Sequence, residues 1–262
     1  MSSVLQESSI TVAGCRVRTL VGEDNGPPLL YLHGAAGLSR SPALDELAAT
    51  HRVIAPEHPG FGDSDKPEWL DNIHDVALFY LELLKHENLS GVQVIGSSLG
   101  GWIGLEMALF DASRLAGLTL LAPAGIHVKG VPRADTFLWS WEEMIRNLFH
   151  DPSMAQAMLA EEPTDEQMGR IMRNREATAR LGWAPRMYDP LLQKWLQRID
   201  IPVLILWGDN DRLIPSVYAE HLSGLLPNAR YRILADCGHL PLVEKKDEVL
   251  AEFRQFAGGA AA

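Results

Sequence analysis

The chain is expected to fold as an α/β protein: a mostly parallel central sheet with helices on both faces and one helical insertion. Three observations predict it. An alternating hairpin opens the chain, short continuous apolar runs recur after it, and helical patterns fill most of the gaps between those runs. A strand covered on both faces reads as an unbroken apolar run, and a parallel neighbour can be reached only through a long crossover.

The elements follow in order. SITVA and CRVRTLV alternate apolar and polar residues around Gly14, which suits two antiparallel strands. PLLYLHG is the first continuous apolar run. HRVIAPE from His51, VQVIGSS from Val92, LAGLTLLAPA from Leu115 and PVLILWGD from Pro202 repeat its character, and YRILAD from Tyr231 closes the series. Asp71 can cap a helix running to about Glu87, with Val76, Phe79, Tyr80, Leu83 and Leu84 on its buried side. A second helix should start directly after Ser98 and reach about Phe110. Another follows Pro215, and the last covers roughly Leu242 to Phe256. Right-handed crossovers then bring the C-terminal ends of the parallel strands, with their loops, to one edge.

Residues 126–197 break this alternation. They hold no convincing strand, yet they carry Trp139, Trp141, Trp183, Trp195 and six of the eight methionines. The segment reads as a helical cap over the sheet edge, with 1–125 and 198–262 forming the core. Such side chains fit core packing at least as well as a ligand wall. The tail AGGAAA is expected to fray.

Composition narrows the function. Hydrophobic residues make up 47% of the 262, enough for a large core, and charged residues 22%, ordinary for a globular protein. A net charge of −11 makes nucleic acid and anionic membranes poor partners. Two cysteines are too few for a disulfide scaffold. MSSVLQESSI lacks the basic-then-apolar layout of a signal peptide, and there is no run of about 18 apolar residues to span a bilayer. A cytoplasmic location is the expectation.

The chemistry is concentrated in VQVIGSSLGGWIGLEMAL. Gly96-Ser97-Ser98-Leu99-Gly100 fits G-x-S-x-G, placed directly after an apolar strand and directly before a helix. A serine on so tight a turn is exposed at the top of the sheet, and small residues two positions either side let strand and helix approach. Ser97 is flanked at those positions by Ile95 and Leu99, so Ser98 is the candidate nucleophile. In this context the chain resembles the α/β-hydrolase superfamily over its whole length except the insertion. His33-Gly34 after a buried strand and PGFGDSDKP from Pro59 are also similar to that family's loops.

The resemblance implies the remaining roles. A serine hydroxyl needs a base. Of nine histidines, His239 in DCGHLPLVE sits where the family's G-H-x-P-x-x-E pattern places it, while His33 belongs to a structural turn. The carboxylate orienting that base should lie in LWGDNDRLIP, which offers Asp209 and Asp211. Gly208, Asp211 and Pro215 match the family's G-x-x-D-x-x-x-P, so Asp211 is preferred and Asp209 is left to cap the turn. The position after the strand before the insertion, where some members carry the acid, reads APAGI. The oxyanion donors are expected to be the backbone N–H of Leu99 and that of Ala35, with Ala36 the alternative. Trp102, Ile126, Trp139, Leu213 and Leu240 are candidate walls of an apolar pocket.

These roles describe acyl transfer without a cofactor. No metal-ligand spacing and no dinucleotide-binding glycine pattern is present, and the expected partner is a small-molecule ester. A serine nucleophile argues against haloalkane dehalogenase and epoxide hydrolase chemistry, which uses aspartate in this superfamily. Carbon–carbon hydrolases of aromatic degradation keep the serine but commonly carry a tryptophan soon after the histidine, where this chain has Leu240, Pro241, Leu242 and Val243. A carboxylesterase is favoured. The alternatives are a carbon–carbon hydrolase, a lactonase or thioesterase, and a hydrolase-fold binding protein without turnover.

Overall fold

The structure, a computed structural model, describes residues 5–259. An eight-stranded sheet in the order β1-β2-β4-β3-β5-β6-β7-β8 forms its centre. The strands are β1 (Gln6–Val12), β2 (Cys15–Val21), β3 (Pro28–Leu32), β4 (Arg52–Pro56), β5 (Val92–Ser97), β6 (Leu115–Leu121), β7 (Val203–Gly208) and β8 (Ala229–Leu234). β2 pairs antiparallel with both β1 and β4, and every other pairing is parallel. The expected architecture is therefore the observed one. The opening hairpin turns through Ala13 (φ 49°) and Gly14 (φ 72°), the left-handed pair that a two-residue turn matching strand twist requires.

Helices cover both faces. α1 (Pro42–Ala48) and α10 (Lys246–Gly259) pack on one side, and α2 (Ile73–His86), α3 (Leu99–Phe110) and α8 (Val217–Leu225) on the other. β7 shows how one strand serves both layers. Val203, Ile205 and Trp207 join the core beneath α2, α3 and α8, while Leu204 and Leu206 join the core beneath α1 and α10. A period of two sends successive side chains to opposite faces, so a strand buried on both sides must be apolar throughout.

Two local expectations need correction, and one helix has no counterpart in the sequence reading. α2 is capped by Asn72, not Asp71: Asn72 Oδ1 accepts the Asp75 N–H and Asp75 reaches back to the Asn72 N–H, a reciprocal capping box. The C-terminal helix is two, a single turn α9 (Pro241–Glu244) and then α10, separated at Lys245, whose φ of −129° is not helical. α1, with Ser41 capping and Pro42 in the first turn, carries no periodic signal in the sequence, because seven residues are too few to display a helical period. Ala257, Gly258 and Gly259 of the tail lie within α10, and residues 260–262 and 1–4 fall outside the described part.

Between β6 and β7 the described residues form α4 (Trp141–Leu148), α5 (Pro152–Leu159), α6 (Asp165–Gly182) and the single turn α7 (Leu192–Trp195), with no strand. The two ends of this segment meet: Gly125 N–H donates to Met187 O at 3.1 Å, and Asp189 N–H to Gly125 O at 3.0 Å. None of the described helices is long and apolar enough to cross a membrane.

Candidate active site

Ser98 stands between β5 and α3 with φ 51° and ψ −109°, a strained conformation for a residue with a side chain. The surroundings over-determine it. The Ser98 N–H donates to Leu121 O at 2.9 Å, and its carbonyl accepts from Gly101 and Ala124, each at 3.0 Å. Gly96 and Gly100 are required by close approach. A Cβ on Gly100 would lie 2.1 Å from Leu32 O, and one on Gly96 would lie 2.5 Å from Gly100 O. The turn leaves Ser98 partly exposed while Ser97 and Leu99 beside it are buried.

His239 lies 141 residues away in sequence, and its Nε2 is 2.9 Å from Ser98 Oγ. Its loop is tied down from both sides. The His239 N–H donates to Leu148 O at 2.8 Å, and the preceding Gly238 N–H donates to Glu244 Oε1 at 2.8 Å. The same Glu244 carboxylate accepts the His150 N–H at 2.7 Å, so α9 links the histidine loop to the segment between β6 and β7.

Asp211 Oδ2 is 2.7 Å from His239 Nδ1, which identifies the carboxylate that meets the imidazole. That oxygen also accepts from Trp207 Nε1 at 3.0 Å, and Oδ1 accepts the Leu213 and Ile214 N–H groups at 2.8 and 2.9 Å. Four donors thus converge on one carboxylate, and each points at a fixed lone pair. Asp209 is exposed and does different work: its Oδ1 accepts from Cys237 N–H at 3.1 Å and from Asn210 Nδ2 at 2.7 Å, holding the strand-end loop. Cys237 is buried, and burial pushes its thiol up to about 12, which keeps it an unreactive packing residue.

The turn Gly34–Gly37 approaches the serine from β3. A Cβ on Gly34 would lie 3.4 Å from Ser98 Cβ, and Ala35 is the next residue along that turn. Gly37 N–H donates to Gly34 O at 3.1 Å, closing the turn. Leu99 is the first residue of α3, and an N–H there has no acceptor within the helix.

Below the turn, two buried histidines stack with ring centroids 3.6 Å apart. Their tautomers follow from their partners. His33 Nε2 accepts the His58 N–H at 2.9 Å, so His33 carries its proton on Nδ1 and donates to Gly34 O at 2.7 Å. His58 donates from Nε2 to His33 O at 2.8 Å and accepts at Nδ1 from Tyr80 Oη at 2.5 Å. Both rings must be neutral for this network to close. Burial pushes His33 down to about 4 and His58 well below its usual value. A folded-state value below the unfolded one means that unfolding takes up protons. Stability from this pair is therefore intact above about pH 6.5 and is lost as the pH falls toward 4. His33 alone accounts for about 3 kcal/mol of that loss. Urea unfolding at pH 7.5, 6.5 and 5.5 should show the decline starting above the range where carboxylates titrate. A stability flat across those three values would contradict the neutral pair.

The candidate wall residues divide into two sets. Leu240 adjoins His239 and Leu213 adjoins the Asp211 turn, while Ile126 follows the Gly125 bridge; of these Leu240 is half-buried and the other two buried. Trp139 is half-buried, with its carbonyl accepting from Arg175 at 3.0 Å. Trp102 is turned into the core, where its indole N–H donates to the buried Glu106 at 3.1 Å and its ring packs under Gly125. A groove lined by Gly60, Lys66, Leu70, Arg173 and Arg180 lies between α6 and the loop after β4, and Ser98 is not part of it.

Sequence reasoning missed three features. His58 and Asn174 both hold the turn after β3, yet nothing adjacent to either residue marks it. The third is a cluster in which His74 Nε2 lies 3.0 Å from Asp189 Oδ2 and 3.5 Å from Glu106 Oε1. Glu106 and Asp189 raise His74 to about 9, so a protonated imidazole neutralises the buried carboxylate and ties Asp189 to α2 and α3. Metal-ligand spacing gave no hint of these three residues meeting, because they lie on three separate elements.

Comparison with known proteins bears on the family and the fold. The model of the alpha/beta hydrolase family matches residues 29–252. The dihydrolipoyllysine-residue acetyltransferase component of an acetoin cleaving system from Pseudomonas putida is 29% identical over 90% of this chain. The match spans 65% of that longer protein. Lipase 3 of a Moraxella species is 27% identical, covering 98% of this chain and 86% of the lipase. Among solved structures, a 2-hydroxy-6-oxo-6-phenylhexa-2,4-dienoate hydrolase from a Rhodococcus species superimposes with a TM-score of 0.79. It is 21% identical and covers 96% of this chain and 98% of its own, a likeness of fold.

Proposed function

This chain belongs to the alpha/beta hydrolase family, and from that premise we propose that it hydrolyses carboxylic esters of broad, neutral acyl type through an acyl-enzyme on Ser98. The observation that carries the reading is the unbroken line from the partly exposed Ser98 Oγ, through His239, to Asp211, with contacts of 2.9 and 2.7 Å. A base must lie within about 2.6–3.2 Å of the proton it takes, and His239 Nε2 does.

The steps follow from that line. Ser98 Oγ attacks the ester carbonyl carbon as its proton passes to His239 Nε2. The new oxyanion faces the N–H groups of Leu99 and Ala35, donors that need no reorganisation as charge develops. Asp211 holds the imidazole with Nδ1–H toward itself and stabilises the imidazolium. Collapse of the adduct breaks the carbon–oxygen bond to the alcohol, which leaves with the proton from His239. Water then gives a proton to His239 and its oxygen to the acyl carbon, and Ser98 departs with the proton returned. Ile126, Trp139, Leu213 and Leu240 would offer the acyl group apolar contact. Such surfaces discriminate by about 1–3 kcal/mol per methylene, which favours a tolerant enzyme.

The likeness to Lipase 3 supports ester cleavage. The serine nucleophile, which carbon–carbon hydrolases of this superfamily keep, leaves carbon–carbon hydrolysis as the second reading. Purified protein given p-nitrophenyl acetate, p-nitrophenyl butyrate and a 2-hydroxy-6-oxo-dienoate separates them. Ester turnover with no loss of dienoate absorbance is the expected result. Turnover of the dienoate alone would replace the ester reading.

A further inference from the structure

We propose that Asn174, on α6 of the segment between β6 and β7, is a positioning residue that sets the oxyanion turn against Ser98. The proposal rests on the serine-hydrolase reading and extends it to a residue far from the nucleophile in sequence.

Asn174 is 4% exposed, and both ends of its amide are used on two different loops. Oδ1 accepts the Gly62 N–H at 2.9 Å, in the loop after β4, and Nδ2 donates to Ala36 O at 2.8 Å, in the turn after β3. The partners dictate the amide's orientation, since one is a donor and the other an acceptor. Gly37 makes room for the contact: with φ +95° it has no Cβ, and one there would lie 2.3 Å from Asn174 Nδ2. This middle stretch of α6 is itself secured, because Thr178 Oγ1 donates to Asn174 O at 2.7 Å and Arg173 Nε donates to Gly62 O at 2.9 Å.

The consequence concerns Ala35. Its turn is held at the β3 end by His33 and His58, which bond the Gly34 and His33 carbonyls. At the far end the Ala36–Gly37 peptide is held on one side by Gly37 N–H to Gly34 O, and on the other by Asn174. Removing Asn174 leaves the Ala36 carbonyl without its side-chain donor and lets the far end of the turn shift. An oxyanion donor acts only where charge appears in the transition state, so a shift of the turn should cost turnover and spare ground-state binding.

Two variants test this. Asn174→Asp keeps an acceptor for Gly62 but places an oxygen against the Ala36 carbonyl, and Asn174→Ala removes both contacts with least bulk. Rates are measured on p-nitrophenyl butyrate, per site titrated with a fluorophosphonate, well below each variant's melting temperature. The expected result is a fall of about 10²-fold in kcat, with KM within a factor of about three. The inhibition constant of phenylboronic acid, whose tetrahedral adduct on Ser98 puts an oxygen in the same hole, should weaken in parallel with kcat. Wild-type kcat and boronate affinity in the folded variants would overturn the proposal, as would activity lost only in step with the folded fraction. Failure of the underlying reading looks different: wild type would then resist the boronate and match Ser98→Ala in rate.

Discussion

Ser98→Ala is expected to lower kcat on p-nitrophenyl butyrate by about 10⁶, the loss found when a serine that works as a unit with its base is removed. The substitution deletes Oγ, the atom 2.9 Å from His239 Nε2, and among the described residues leaves no other hydroxyl in hydrogen-bond contact with that imidazole. Its effect on the fold should be small. Alanine already occupies left-handed backbone at Ala13 (φ 49°) and Ala122 (φ 43°), and the backbone bonds of Ser98 to Leu121, Gly101 and Ala124 involve no side chain. A melting temperature close to wild type with activity at the uncatalysed background is the predicted pair of results. Equal ester turnover by both proteins would mean that hydrolysis occurs elsewhere, and a hydrolase-fold binding protein would become the better description.

Asp211→Asn is the second large effect, about 10⁴ in kcat. The carboxylate accepts four hydrogen bonds, two on each oxygen. An amide can replace only one of those oxygens. With its NH₂ toward Leu213 and Ile214, two backbone donors lose their acceptor. With its NH₂ toward His239, the ring must turn Nδ1 into an acceptor and carry its proton on Nε2, where it can no longer receive one from Ser98. Either orientation costs something, but only the second stops proton transfer. The backbone pair at Leu213 and Ile214 selects it. Asp209→Asn provides the contrast, since Asp209 is exposed and bonds loop atoms only, and its kcat should stay within a few-fold of wild type. Comparable losses from both substitutions would remove Asp211 from its special role.

The legible parts of this protein share a physical property: their signal lies in contiguous residues. The strand–turn–helix of the nucleophile is one, since a tight turn needs Gly96 and Gly100 at fixed offsets from Ser98. Continuous apolar runs mark β3 to β7, because a strand covered on both faces has no polar position to spare. The histidine loop is another, with Gly238, His239, Pro241 and Glu244 close enough in sequence to form a pattern, and the Gly238 N–H donates to Glu244 within it.

What was illegible is polar and long-range. The preference for Asp211 over Asp209 was legible in its spacing from Gly208 and Pro215, but the four donors that converge on its carboxylate are visible only in the structure. Trp102 is 4% exposed, and its indole N–H donates to Glu106, a buried carboxylate one helical turn away, a pairing that nothing in the sequence marks. The His58 contact to the oxyanion turn bridges 25 residues, the Asn174 contact 138 and the His74 contact to Asp189 115. A hydrogen bond across such distances has no periodicity, and neither partner constrains the residues next to it. By itself, then, the sequence determined the sheet, the elbow and the order of nucleophile, acid and base, because local backbone geometry and side-chain period are written in neighbouring residues. The tertiary structure alone decided what holds the oxyanion turn, because that depends on where separately folded elements bring their donors and acceptors.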